Sequence, residues 1–537
     1  MTLKSVEETR VEWFGKINVY SKMAFLVSFL AGMLTHGFML LNKIPFYDDI
    51  ALLFHTGGTY KNGRWFLGVI GAIEYRMFGD NFSTPMCKGL IAIVLVSLAA
   101  ALVVSLFDIR NKSYIFFISC IMVVYPAVTV IMGYMFMAQC FTIALFLGMI
   151  GAWVTVKKKY GFLVGIGCIC LSLGLYQAYL AVPAVLFLMA LISDLFAEKE
   201  FIQIFKTAVK YLLTLVFGLL VYFVVNKVFL AVTNTELTSY QGISDMGQTT
   251  IGDLIARVGT AYRYFLQLPF ADWQGLNTSA LMKVLFGLCI LLTIGIITFN
   301  IIKIKNIRNK ILLAVITVLL PLAVNLIYVM CDEEKVYVHG LMVYASVFVL
   351  LLPLILLYVH SQNQKKDSKK NVVVVTEWIA FAVAALTILY YVGYNNIAYT
   401  QSAMIQSQVD AYSTNFVAAI KNADGYADEY PIILVQDPDR EEPYDFMDKS
   451  MYIFTEFEQI QITAYNTDML CWMSNYSLPD YLKYRTGFNT ENMKDYGEML
   501  ENGEIGELDF IDEMPCYPDD GSIRVEDERI IVKLSDY

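Results

Sequence analysis

Residues 23–49 read MAFLVSFLAGMLTHGFMLLNKIPFYDD. The first twenty of them hold no Asp, Glu, Lys or Arg, and about twenty apolar residues are what a helix needs to cross a hydrocarbon layer of ~30 Å. The stretch then ends on two adjacent carboxylates, Asp48 and Asp49, and thirteen residues beyond Asp49 comes Asn62-Gly63-Arg64-Trp65. Charged groups beside a membrane span are costly to hold near lipid and call for a reason.

The composition extends this first span to a whole membrane body. Of the 537 residues 57% are hydrophobic and only 16% charged, with mean hydropathy +0.55, whereas soluble chains carry about a quarter charged residues. Long apolar runs lie near 23–42, 86–107, 114–136, 137–156, 160–180, 181–197, 209–231, 279–300, 311–330, 337–358 and 372–394. The apolar stretch 65–79 is short and holds Glu74 and Arg76, so it reads as an interfacial helix. The expected fold is an all-α polytopic membrane protein of about eleven transmembrane helices with a small α/β C-terminal domain. Three parts are expected: a cytoplasmic segment 1–22, a transmembrane domain 23–394 and an acidic extracytoplasmic domain 395–537.

The charge divides along the same line. From Asn395 onward nine Lys+Arg stand against 29 Asp+Glu, a net of −20. The chain as a whole carries 39 against 49, which leaves 30 against 20 for residues 1–394, a net of +10. Basic clusters set the orientation, because cytoplasmic connections are enriched in Lys and Arg. Lys16 and Lys22, Arg110 and Lys112, Lys157 to Lys159, Lys199 to Lys210, Lys303 to Lys310 and Lys365 to Lys370 all fall on one side. That side is assigned to the cytoplasm, which puts the loops 43–85 and 232–278 and the acidic tail outside. The N-terminus does not read as a cleaved signal, since about twenty polar residues precede the first apolar run.

Transfer of a sugar from a phosphate-linked donor to a hydroxyl needs a carboxylate to take the hydroxyl proton. It also needs a cation, an arginine or a carboxylate-held metal, for the departing phosphate. The loop 43–85 supplies Asp48, Asp49 and Arg64, along with His55, Gly57, Gly58 and Lys61. The alternative reading is that the two aspartates only open the next helix. In the loop 232–278, Thr250-Ile251-Gly252-Asp253 forms a capping-box pattern with Asp in place of Glu. An amphipathic helix follows, with Arg257 and Arg263 flanking its apolar face. These arginines either grip a lipid phosphate or anchor the helix at the interface. Cys331-Asp332-Glu333-Glu334-Lys335 is either part of a metal or acceptor site or a solvated turn. Tyr176-Gln177-Ala178-Tyr179 places aromatic and amide groups where a sugar can stack.

The tail opens with a helical stretch, 397–421, then a strand at 431–436, and closes with a hairpin pairing Ser522–Val525 with Ile530–Leu534. Asp437-Pro438-Asp439 is similar to the Asp-x-Asp of nucleotide-sugar transferases but reads as a turn. Cys471 and Cys516 either pair in an oxidising compartment or remain thiols. No phosphate-binding Gly loop, dinucleotide turn or metalloprotease helix occurs, and the acidic tail and lipid-embedded body speak against nucleic acid.

With these residues in view, the chain resembles the bacterial Gtr-type glucosyltransferases, the serotype-converting group that glucosylates O-antigen or cell-wall glycans. The resemblance rests on the Asp48-Asp49 pair, on Asn62-Gly63-Arg64-Trp65, on Leu175-Tyr176-Gln177-Ala178 and on the closing stretch Met514-Pro515-Cys516-Tyr517-Pro518-Asp519-Asp520-Gly521-Ser522-Ile523. It implies a GT-C type membrane enzyme of the bacterial cell membrane. Its donor would be undecaprenyl-phosphate glucose and its acceptor a surface polysaccharide or lipid-linked glycan. The presumed base of such enzymes, an acid in the first outward loop, lands on Asp48 or Asp49. By charge and proximity, rather than by the resemblance, Arg64 is the candidate for the donor phosphate, with Arg257 and Arg263 as further phosphate ligands. Tyr47, Asn62, Trp65, Tyr176 and Gln177 complete the candidate substrate site. A divalent metal is left open by the resemblance. The rival classes are a lipid-linked glycan transporter or flippase, which places charges in mid-span, and a polysaccharide polymerase.

Overall fold

The computed structural model describes residues 5, 15, 17–45, 47–54, 58–79, 82–238, 250–271, 276, 279–331, 338, 340–363, 370–437 and 478–536. Contacts divide the chain into two units, Met1–Lys43 with Gly57–Asn396 and Ile44–Thr56 with Ile397–Tyr537. Lys16, His55, Gly57, Asp332 to Lys335, Lys365 to Lys369, Pro438, Asp439 and Cys471 of the sequence reading lie outside the described residues.

In chain order, α1 (Val19–Leu41) is followed by α2 (Tyr47–Phe54), which belongs to the second unit, and by α3 (Trp65–Phe78). A π-turn, Pro85–Gly89, leads into α4 (Leu90–Leu106), and α5 (Lys112–Val124), α6 (Pro126–Gly133), α7 (Ala138–Lys157), α8 (Gly161–Leu175) and α9 (Ala181–Phe196) come next. The first unit continues with α10 (Phe201–Thr233), α11 (Ile251–Gln267), α12 (Ala280–Lys303), α13 (Ile307–Val324), α14 (Leu326–Met330) and α15 (Val347–Asn363), and then enters α16 (Lys370–Lys421). Several starts are specified by short polar side chains. Asn18, Asn111, Ser279 and Asn306 each accept a hydrogen bond from an amide of the first turn, the role for which these residues are favoured.

Among the described residues ten helical runs are long and apolar enough to cross a membrane, so the fold is an all-α polytopic membrane body. The expected span 160–180 differs. It forms the 15-residue α8, about 22 Å at 1.5 Å per residue, and then stops where Tyr176 turns extended at φ −156°, ψ 111°. A 3-10 turn, Gln177–Leu180, carries the chain into α9. The expected span 372–394 and helix 397–421 are one 52-residue helix, α16.

The interior holds buried polar residues with a structural task. Pro126 has no amide proton and bends Tyr125 to φ −61°, ψ 131°, as the residue before proline favours. The break strips the last carbonyls of α5 of their helical partners, which inside a membrane is tolerated only if protein replaces them. Three side chains do so. Tyr344 Oη donates to Met122 O (2.9 Å), His36 Nε2 to Val123 O (2.8 Å) and Asn395 Nδ2 to Val124 O (2.7 Å). Tyr125 itself bonds Ser346 at 2.6 Å.

In the second unit α2 packs on α17 (Leu478–Thr486), with Lys483 Nζ 4.9 Å from the Phe54 ring centroid. Four strands, β1 (Ile432–Val435), β2 (Met493–Asp495), β3 (Ile523–Glu526) and β4 (Arg529–Lys533), form a sheet in the order β2-β1-β4-β3. β1 lies parallel to β2 and β4, and Ile432 faces both Met493 and Ile530. α18 (Tyr496–Glu501) follows β2 and contributes Tyr496 and Met499 to a core with Ile433, Val435, Ile511 and Ile531. The expected terminal hairpin is β3–β4. Its two central residues, Asp527 and Glu528, sit at φ 49° and 56°, the left-handed pair of a tight hairpin turn.

Candidate functional site

Residues 58–64 form a tight loop closed by its own backbone, with Gly63 N donating to Tyr60 O (2.9 Å) and Arg64 N to Thr59 O (3.1 Å). Gly63 lies at φ +66°, a conformation that glycine adopts without a steric penalty. The loop is pinned to two distant elements. Gln177 Nε2, on the 3-10 turn after α8, donates to Asn62 O at 2.9 Å and to Tyr222 Oη at 3.0 Å. Tyr222, on α10, in turn donates to Gly63 O at 3.0 Å. The packing is close enough that a Cβ on Gly63 would come within 2.7 Å of Tyr222 Oη and 3.0 Å of Gln177 Nε2.

This frame aims Arg64, which ends the loop and precedes α3. Its guanidinium lies 5.0 Å from the centroid of Tyr176, within cation–π range. Its Nε is buried with no hydrogen-bond partner, and it makes no ion pair with a described residue. Tyr176 packs edge-on against Phe141 and Tyr179. Tyr179 Oη and Asn226 Oδ1, beside the same frame, are also buried and unpartnered. Native proteins leave few such atoms, and an arginine fork with a donor to spare suits a phosphate or carboxylate oxygen. Trp65 is 6% exposed, stacks on Phe229 at 5.2 Å and presses on Gly174; it holds the first turn of α3 in place.

Of the sequence-derived candidates, Asn62, Arg64, Trp65, Tyr176 and Gln177 thus come together, Asn62 through its carbonyl. The capping box is present, Thr250 and Asp253 exchanging bonds at the start of α11. The bonds from the Thr250 hydroxyl and then its amide hold the Asp253 carboxyl below its usual pKa. Arg257 reaches Met330 O at 3.4 Å, and α14, which carries Met330, packs against the Gln177–Leu180 turn. Arg263 is exposed with its guanidinium over Tyr264 at 5.1 Å. Burial pushes the Cys331 thiol up to about 11, which keeps it protonated at neutral pH.

Asp48 and Asp49 belong to the second unit. They occupy the first turn of α2, where the helix dipole favours negative charge; Asp48 is half-buried and Asp49 2% exposed. The side chain of Tyr47 lies outside the described residues. The closing motif is structural at Tyr517, whose amide donates to Lys533 O (2.8 Å) and whose ring packs edge-on against Tyr412 and Phe416. Among the described residues no group of three or more His, Cys, Asp or Glu is placed to hold a metal.

Sequence reasoning missed Tyr222 and Asn226, one helical turn apart on α10, because the run 209–231 counted only as apolar. It also missed a second polar cluster. Lys88 Nζ donates to Glu74 Oε2 (3.2 Å) and Phe136 O (2.8 Å), and Gln139 Nε2 donates to Glu74 Oε1 (2.8 Å). The lone lysine in the run 86–107 was the signal for it.

A family model described as glucosyl transferase GtrII matches residues 37–350, more than half of the chain. The matched region includes Asp48, Asp49, Arg64, Tyr176, Gln177, Arg257 and Arg263 and ends before the acidic tail. No curated protein and no solved structure matches the chain.

Proposed function

This chain belongs to the glucosyl transferase GtrII family, and on that premise we propose that it moves a glucosyl residue from a polyprenyl-phosphate donor to a cell-surface polysaccharide or lipid-linked glycan at the outer membrane face. The observation that carries the proposal is Arg64, a half-buried arginine at the end of the 58–64 loop with an uncommitted Nε–H and no ion pair among the described residues. A buried polar atom left without a partner calls for an explanation, and a bound anion supplies one. For a loop at the membrane edge, a lipid-linked phosphate is an anion within reach.

The chemistry follows from what leaves. The acceptor hydroxyl gives its proton to a carboxylate, for which Asp48 or Asp49 is proposed from the sequence of the first loop. The freed oxygen attacks C1 of the sugar, the bond from C1 to the phosphate oxygen breaks, and the polyprenyl phosphate departs with the electron pair. Attack opposite the leaving group inverts C1. Negative charge grows on the phosphate as that bond breaks, so a guanidinium fixed beforehand lowers the barrier without reorganising. Tyr176 holds the guanidinium plane, and the bonds of Gln177 and Tyr222 to the Asn62 and Gly63 carbonyls hold the loop that carries it.

Surface glycans of cells with and without the chain test this reading. The expected difference is one glucose per repeat unit, absent when the chain is absent and also absent with Arg64→Ala. Identical glycan composition in the two cell types would remove the proposed activity.

A further inference from the structure

The second unit contains a pocket that the transfer chemistry does not use. It has a volume of about 260 Å³ and lies where the end of α16, the segment 422–431 and the turn after α17 meet the first residue of β1. It is lined by Lys421, Tyr426, Asp428, Tyr430, Phe488, Asn489 and Asn492, with Ile432 and Gly487 between them. The geometry is set by local bonds. Gly487 ends α17 at φ +66° and turns Phe488 inward, Ile432 N donates to Asn492 O (3.0 Å), and Lys421 Nζ stands 5.4 Å from the Phe488 centroid.

Several polar groups there have capacity to spare. Tyr426 Oη donates to Asp428 Oδ1 at 2.7 Å, which leaves that carboxylate further lone pairs. Asn489 Oδ1 accepts from Glu491 N at 3.1 Å, which leaves its amide donors. Two half-exposed tyrosines, a carboxylate and two amides suit a polyhydroxylated ring, whose C–H face can pack on tyrosine while its hydroxyls bridge amide and carboxylate. The lining carries one cation, Lys421, and one anion, Asp428, so it offers no net charge to select an ionic ligand. The volume is below the roughly 300–1,000 Å³ typical of pockets that enclose drug-sized ligands, which limits the occupant to a short saccharide.

We propose that this pocket, formed by Tyr426, Asp428, Tyr430, Phe488, Asn489 and Asn492, is a saccharide-binding subsite that holds a unit of the acceptor glycan. As an acceptor site it rests on the transferase reading above; as a saccharide site it does not. It gives the acidic tail, which the family match leaves uncovered, the task of presenting the acceptor.

The test uses the full chain in lipid nanodiscs and oligosaccharides released from the producing cell's own surface polysaccharide. Saturation-transfer NMR reads binding without donor, and initial rates read transfer with donor. Asn489→Ala with Asn492→Ala removes exposed amides from the wall, and Tyr430→Ala removes one ring. The proposal expects both variants to lose saturation transfer and to raise the acceptor KM tenfold or more, with kcat and donor KM within twofold of the parent. Unchanged binding and unchanged acceptor KM in both variants would overturn it. Parental binding that the variants lose, in a chain that transfers no sugar, would sustain the subsite and sink the transferase reading. Transfer with an unaltered acceptor KM would do the reverse.

Discussion

Replacing Gly63 by alanine separates the loop frame from the rest of the fold. At φ +66° a residue with a Cβ costs about 1–2 kcal/mol. The added methyl would also sit 2.7 Å from Tyr222 Oη and 3.0 Å from Gln177 Nε2, and overpacking of this kind costs about 1–3 kcal/mol. The sum, about 2–5 kcal/mol, corresponds to roughly 30-fold or more in the population of the native loop. The clash falls on the two side chains that hold the Asn62 and Gly63 carbonyls, so relief requires moving the segment that aims Arg64. Gly71→Ala is the matched control. It lies in α3, where a Cβ meets nothing within 4 Å, and helix propensity alone favours alanine by about 1 kcal/mol. The assay is the initial rate of glucosyl transfer in nanodiscs, with helix content and elution profile confirming the fold. The expected result is at least a 30-fold loss for Gly63→Ala and parental activity for Gly71→Ala. Parental activity in Gly63→Ala would refute the idea that this loop geometry positions the arginine.

Asp48→Asn and Asp49→Asn keep the shape of the first turn of α2, so both proteins should insert and fold normally while the base variant loses glycan decoration; normal decoration in both excludes the pair as base. His36→Leu leaves Val123 O buried without its donor and should destabilise the body by about 1–3 kcal/mol, read as a lower thermal midpoint, with His36→Gln recovering part of it. Lys88→Met strips the partly buried Glu74 carboxylate of its cation at about 1–3 kcal/mol, and adding Glu74→Leu should recover stability, because replacing both partners removes the unpaired charge. Lys61→Cys, at an exposed loop position, should react with an impermeant thiol reagent from outside the cell; reaction only from inside would reverse the proposed orientation.

Hydropathy made the apolar helices legible because a membrane span must be continuous and nearly uncharged. The capping box of α11 and the β3–β4 hairpin were equally readable, since each depends on a few neighbouring residues. The α8 stop was not, because Leu175-Tyr176-Gln177 carries no proline, and the extended Tyr176 accompanies contacts to residues 62 and 222. Gln177 and Asn62 are 115 positions apart, and no local pattern announces such a pair. Tyr222 was hidden for a different reason: in a hydropathy window tyrosine counts as apolar, while its hydroxyl donates to Gly63 O. The three partners of the carbonyls before Pro126 escaped likewise, although the proline itself marks where helical bonds must be replaced. The grouping of residues 44–56 with the tail depends on packing between α2 and α17, more than 400 positions apart in the chain.

Donor-dependent transfer by the purified chain in proteoliposomes, with labelled glucose supplied either on polyprenyl phosphate or on a nucleoside diphosphate, separates the lipid donor from the soluble one. Label is expected to reach the acceptor from the lipid donor alone, and Arg64→Ala is expected to abolish transfer while leaving the protein folded. Transfer from the nucleotide donor, or undiminished transfer by Arg64→Ala, would contradict it.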